Sequence, residues 1–210
     1  MANPRTYRCL LITIALVGLG IDQASKYGVF RWLYNNPSTD GKDVAPNSFS
    51  RQVVPGWFEL IAQFDPDAPL CDCGFSALQT FSAPVMPRVN HGALFGMGGS
   101  KKGTANGFFA VISAVAATAI LVWGLKRSTA REKWLMVALG LILAGTVGNL
   151  YDRLVFNGVR DFLHFYYVEW PVFNFADCCL VVGATLLLLQ AIFGTPPQPE
   201  AASSGANEAA

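Results

Sequence analysis

The chain has 210 residues, 52% of them hydrophobic and 14% charged, with a formal net charge of +1. Soluble domains carry about 25% charged residues, so this composition, with a mean hydropathy of +0.37, argues against an ordinary soluble domain and points to an integral membrane protein. No basic stretch is dense enough to suggest nucleic-acid binding, and the five cysteines fit neither a zinc-ribbon spacing nor a dense disulfide framework.

Runs of about 20 residues without charge can cross a bilayer as helices, and four segments qualify. The first covers residues 9 to about 30 and is interrupted by Asp22 and Lys26. Arg5 and Arg8 ahead of a 13-residue apolar core imitate a secretory leader, but Gln23-Ala24-Ser25-Lys26 is a poor cleavage site, so the helix is expected to be retained. In the long stretch 31–102, residues 53–63 and 87–97 read as strands of a small sheet on the membrane surface. The Pro-rich segment between them reads as an irregular surface loop. Three more spans follow, at 103–125, 134 to about 151 and about 173–193. The tail from Thr195 lacks an apolar face and is expected to be disordered.

Arg5 and Arg8 precede the first span, and Lys126, Arg127, Arg131 and Lys133 crowd the loop between the second and third. Basic residues mark the cytoplasmic side. Both termini then lie inside and the loops 31–102 and 154–172 outside, with Lys101 and Lys102 a mild exception. This threading gathers Asp22, Asn90, Asn149, Asp152, Arg153, Asp161, Asn174 and Asp177 at one membrane face. Ionisable groups beside spans are costly to keep and are functional candidates by default.

Each cluster has a plain reading beside a functional one. Asp22 and Lys26, spaced i, i+4, either close the top of a helix as an ion pair or shape a polar pocket. Gly145, Gly148, Asn149, Asp152 and Arg153 lie near one face of the third span, where glycines admit a neighbouring helix. Asp152 and Arg153 are adjacent and diverge around the helix, which favours anchoring to loops over pairing with each other. Asn174 can cap the last span, with Asp177 at its third position. Capping explains both residues without catalysis. It leaves Asp161 unexplained in the apolar run VRDFLHF, so a catalytic carboxylate pair is the other reading. His91 and His164 have no second ligand at metal spacing, so no metal site is expected. No Ser–His–Asp order is present. Cys71 and Cys73 either bridge locally or stay free, while Cys9, Cys178 and Cys179 read as small apolar residues.

One ordered set of short motifs stands out: Asp22-Gln23-x-x-Lys26, Asn90-x-Gly92-Ala93-x-Phe95, Gly148-Asn149-x-x-Asp152-Arg153, Val159-x-Asp161-Phe162 and Phe173-Asn174-x-Ala176-Asp177. Together, on a four-span chain, they closely resemble the lipoprotein signal peptidase family, the type II signal peptidases of bacteria, over roughly residues 9–193. The resemblance implies an all-α membrane protein with four transmembrane helices, a small antiparallel sheet and a surface helix on the periplasmic side. It implies an intramembrane aspartic endopeptidase that cuts signal peptides from diacylglyceryl-modified prolipoproteins, N-terminal to the lipidated cysteine. Asp161 and Asp177 are the catalytic pair it implies. Asp22, Lys26, Asn90, Gly92, Gly145, Asn149, Asp152, Arg153, Asn174 and Ala176 take supporting roles. No cofactor or metal is implied. The partners are prolipoproteins, membrane lipids and the inhibitor globomycin, with no nucleic acid, acting on a monomer in the bacterial inner membrane with the site at the outer leaflet.

The chain is read as one membrane domain over 1–194 with a cytoplasmic tail over 195–210. Two features depart from the family pattern: His91, where a small polar residue is usual, and an insertion near 64–86 beside the substrate entrance. Two nearby carboxylates should share one proton. Asp177, at a helix start, is the expected charged partner. Two rival readings remain from the residues alone: a proton-coupled transporter using the acids as a relay, and a four-helix protein whose acids serve structure only.

Overall fold

The computed structural model describes residues 6–38, 47–70, 74–92, 102–168 and 170–193. Cys71, Cys73, Ala93, Phe95 and the tail lie outside the described residues, and with them the expectations placed on them. Four helices are long and apolar enough to span a membrane: α1 (Arg8–Asn35), α3 (Lys102–Leu125), α4 (Lys133–Phe156) and α5 (Phe175–Phe193). A short α2 (Ser76–Ser82) lies between α1 and α3 in sequence. At 1.5 Å per residue, the 28-residue α1 is about 42 Å long. It therefore outruns a hydrocarbon core about 30 Å thick. Its surplus buries Phe30 and Leu33 against the sheet. α4 also runs beyond its expected end near residue 151, because no breaker occurs before Asn157-Gly158. Asn157 closes it in the left-handed conformation, φ 58°.

α4 is the central helix and packs against α1, α3 and α5. Its buried residues include a run of small ones, Ala138, Gly140, Ala144, Gly145 and Gly148. Without side-chain bulk, helices in lipid can approach backbone to backbone. Gly148 is the tightest case for the site. A Cβ there would sit 2.5 Å from Asp22 Oδ2 and 3.3 Å from the Ala176 Cβ.

The sheet caps one end of this bundle. β1 (Ser48–Val54) and β2 (Phe58–Asp65) form an antiparallel hairpin, Ser50 opposite Ile61 and Val54 opposite Phe58. β2 also pairs antiparallel with β3 (Met86–Pro87) and β4 (Leu163–Phe165). The expected single strand over 53–63 is instead the end of β1, a turn and most of β2. Pro55 and Gly56, φ +83°, make the turn, closed by the Trp57 N–H on the Val54 carbonyl at 3.0 Å. Proline presets the first corner and glycine accepts the positive φ of the second, as a type II turn requires. In the described part of 87–97, only Pro87 belongs to a strand, while Asn90 forms an isolated bridge with Val159. The expected irregular loop also contains α2. Ser76 to Ser82 carry no Gly or Pro, and Gln79 is buried with its Nε2 donating to the Val155 carbonyl at 2.6 Å. Ala62 and Phe64 of β2 face Phe30 and Leu33 of α1, with Ala83 and Phe162 completing that core. Ile61 and Gln63, one step out of phase, face the opposite way.

The close approach at Gly148 gives a test. Gly148→Ala should lower the apparent melting temperature in detergent by several degrees, because overpacking a tight contact costs about 1–3 kcal/mol. Gly20→Ala is the control, since a Cβ there meets nothing within 4 Å. Equal melting of both variants would contradict the contact.

Candidate active site

Four fully buried charged side chains meet where α1, α4 and the segment before β4 come together: Asp22, Lys26, Asp152 and Arg160, each 0% exposed. Lys26 Nζ lies 2.9 Å from Asp22 Oδ2 and 3.5 Å from Asp152 Oδ2. The first contact follows from i, i+4 spacing on α1. Arg160 grips Asp152 with its backbone N–H at 2.9 Å, Nε at 3.2 Å and Nη2 at 2.8 Å. Its guanidinium lies between the rings of Tyr27 and Phe156, 4.2 and 3.9 Å from their centroids. Two acids and two bases cancel, the condition under which charges can be kept from water. Arg160 is missing from the sequence-derived set. A charge count offers the signal: Asp22 and Asp152 share one lysine once Arg153 diverges, so one cation is owed, and Arg160 stands in an apolar run.

The cluster reaches outward through two routes. Asp22 Oδ1 accepts the Ala176 N–H at 2.9 Å, fixing the first turn of α5. Gln23 Nε2 donates to Asp22 Oδ2 at 2.9 Å and to the Gly148 carbonyl at 3.1 Å. Lys26 also donates to Asn149 Oδ1 at 3.1 Å, and Asn149 Nδ2 donates to Asp177 Oδ1 at 2.8 Å. The lysine thereby sets the orientation of the amide, and the amide offers its N–H to the acid.

Asp177 and Asn174 form a reciprocal cap at the start of α5. The Asn174 N–H donates to Asp177 Oδ2 at 3.1 Å, and the Asp177 N–H donates to Asn174 Oδ1 at 3.2 Å. The remaining Asn174 group, Nδ2, donates to Asp161 Oδ1 at 2.7 Å. One asparagine therefore holds both carboxylates. Asp161 Oδ2 accepts Asn90 Nδ2 at 3.1 Å. Asn90 is itself pinned, with backbone bonds to Val159 at 2.8 and 2.9 Å and its Oδ1 taking the Gly92 N–H at 2.9 Å. Gly92, φ +86°, makes that local turn. Burial pushes the Asp161 carboxyl up to about 6; the amide donors of Asn174 and Asn90 pull the other way, and the charge of Asp177 adds to the rise.

The other expected residues are placed as follows. Gly145 packs against the Ala176 carbonyl, and Ala176 is fully buried. Arg153 does not pair with Asp152. It turns toward α3, its Nη1 3.4 Å from Asn106 Oδ1 and its guanidinium 5.0 Å from the Phe109 ring. Asn106, also absent from the sequence-derived set, donates to the Arg153 carbonyl at 3.1 Å and to Asn157 Oδ1 at 2.9 Å. His91 Nδ1 sits 2.7 Å from the Asn157 carbonyl, and His164 pairs across the strands with Glu59 at 2.9 Å.

Each acid opens onto a different cleft. Asp177 borders an apolar one of about 730 Å³ with Phe165, Trp170, Phe173 and Val181. Asp161 borders a more polar one of about 310 Å³ with Ile61, Gln63, Arg88 and Asn90. Pro171 and Val172 line both. Among the described residues no lysine or arginine lies within ion-pair distance of Asp161 or Asp177. Neutral donors leave one acid of such a pair free to hold a proton, and the arrangement can therefore perform acid and base chemistry on one bound molecule.

A family model described as signal peptidase (SPase) II matches residues 77–193. The chain is similar to the lipoprotein signal peptidase of Pseudoalteromonas translucida, 43% identical over 111 residues, covering 52% of this chain and 66% of that protein. It is similar to that of Alteromonas mediterranea, 43% identical over 102 residues, covering 48% and 56%. The Rhodopirellula baltica protein is 32% identical over 203 residues, covering 90% of this chain and 74% of that one. The chain thus spans about two thirds or less of the first two relatives' length. A solved bacterial membrane enzyme at 2.3 Å resolution superposes with a TM-score of 0.62 at 21% identity, over 95% of this chain and 98% of that one. At that identity the likeness is one of fold.

Breaking the buried cluster should cost stability. Arg160→Met leaves Asp152 short of its main partner and should destabilise by about 3–5 kcal/mol. Asp152→Leu combined with Arg160→Met should recover part of that loss. Denaturant unfolding in micelles measures both, and a double variant weaker than the single would contradict the coupling.

Proposed function

The chain belongs to the signal peptidase II family of lipoprotein signal peptidases, and from that premise we propose that it cleaves diacylglyceryl-modified prolipoproteins N-terminal to the lipidated cysteine, with Asp161 and Asp177 as its catalytic aspartates. The observation that carries the reading is Asn174 bonded to both carboxylates. An acid pair used only for folding has no need to share one holder beside two clefts.

In the proposed cycle Asp177 bears the charge, at the positive end of α5, and Asp161 bears the proton. Asp177 takes a proton from a water as its oxygen attacks the scissile carbonyl carbon. Asp161 gives its proton to the carbonyl oxygen, which would otherwise become an oxyanion. Collapse of the tetrahedral intermediate breaks the C–N bond, and the departing amine of the lipidated cysteine takes the proton from Asp177. A hydroxyl of the intermediate returns its proton to Asp161, which restores the starting state. Asn149 and Asn174 orient the base, while Asn90 and Asn174 orient the acid. The apolar cleft beside Asp177 suits the lipid chains and the signal segment.

The basic residues at 126–133 and ahead of α1 support an orientation with both termini in the cytoplasm and the dyad at the outer leaflet of the bacterial inner membrane. In the described parts of the spans, the paired buried charges gather at this one level. A proton relay would need them along the length of the bundle.

Purified Asp161→Asn and Asp177→Asn proteins should each lose measurable cleavage of a diacylglyceryl-modified precursor while keeping wild-type helicity. Normal turnover by either folded variant would remove the dyad. The Asp161 carboxyl at about 6 sets a pH dependence. Its proton is needed for the acid role, so kcat/KM should fall as pH rises through that value. Asn90→Ala removes a donor that favours the charged form, so the falling limb should move to higher pH, with reduced kcat. A limb that stays in place or moves down would contradict the assignment of Asp161 as the acid.

A further inference from the structure

The polar cleft beside Asp161 contains a cation that the mechanism leaves unused. Arg88 is exposed and lines this cleft. Its guanidinium has no ion-pair or hydrogen-bond partner among the described residues. Its backbone N–H donates to the Gln63 carbonyl at 2.8 Å, two residues before the isolated bridge of Asn90 with Val159. Among the described residues lining the cleft, Arg88 and Asp161 are the only charged ones. The cation therefore stands on a hydrogen-bonded backbone and lines the same cleft as the proposed acid.

The two clefts assign direction to a bound polypeptide. A signal segment is apolar and stays with the lipid, which places it on the Asp177 side. The chain after the cysteine is polar and leaves toward water, which places it along Ile61, Gln63 and Arg88. We infer that Arg88 is a specificity-determining residue that favours acidic side chains in the first few positions after the lipidated cysteine. The inference rests on the peptidase reading above and adds to it a preference on the far side of the scissile bond. Electrostatic complementarity of this kind sets selectivity more than raw affinity.

The test uses the full chain in detergent and diacylglyceryl-cysteine peptides carrying Asp, Ser or Lys at each of the next few positions. An accessible charge pair changes a rate by about threefold. The wild type should favour the Asp peptide over the Lys peptide by about that factor in kcat/KM, and Arg88→Gln should remove the preference. Arg88→Glu should invert it, an outcome that a structural role for Arg88 would not produce. Cleavage with an Asp-to-Lys ratio unchanged in Arg88→Glu would overturn the inference and leave the peptidase reading standing. No cleavage of any lipidated peptide by the wild type would overturn both.

Discussion

Lys26 is the residue on which the rest of this arrangement turns. Its ammonium is wholly buried and faces Asp22, Asp152 and Asn149 at once. A lysine in that position is tolerable only if its charge is matched and its three N–H groups are used. Meeting that demand draws α1 and α4 together and, through Asp22 and the Ala176 N–H, seats the first turn of α5. The small residues of α4 are the steric half of the same constraint, since Gly148 leaves the space that the Asp22 carboxylate occupies. The electrostatic and the packing requirement are satisfied by one geometry.

The cluster and the proposed dyad divide the work by the kind of partner each acid has. Asp22 and Asp152 are matched by Lys26 and Arg160, so their charges are compensated within the buried cluster. Asp161 and Asp177 receive only amide and backbone N–H groups. Such donors orient a carboxylate without placing a formal charge in contact with it. Asn149 is the joint between the two regimes, since it accepts from Lys26 and donates to Asp177. Through it, the lysine controls the geometry of the dyad without adding a charge to it.

What was legible in the chain was what depends on short spacing. The Asp22–Lys26 pair follows from i, i+4 helical geometry, and the Asn174–Asp177 cap from its place at the start of an apolar run. The four spans follow from length and charge alone. Arg160 is not legible in the sequence because Gln23 and Ser82 come from distant parts of the chain, and Asp152, eight residues before it, is reached only across the end of α4. The hairpin was misread because its apolar residues run through the turn: Val53, Val54 and Trp57 are all exposed, so alternation does not mark where β1 ends. α2 is not legible because a seven-residue helix is too short to display a period, and its anchors, Gln79 to Val155 and Ser82 to Arg160, lie far away in the chain.

The two proposed catalytic acids are also unlike in what stands behind them. Asp177 belongs to the first turn of a long helix and is backed, through Asn149, by the buried ions. Asp161 sits on extended chain between Arg160 and β4, held in place by its neighbours: Arg160 is locked to Asp152, and the Phe162 N–H donates to the Phe173 carbonyl at 3.0 Å. Asp177 is therefore held by the bundle, and Asp161 by the bundle through Arg160 and Asp152 and by the chain beside β4 through Phe162. Asn174 links the two acids, capping α5 with its backbone and Oδ1 while reaching Asp161 with Nδ2. The sheet packs on Phe30 and Leu33 of α1 in a core that includes Phe162, so hydrophobic packing away from the carboxylates fixes the chain next to Asp161.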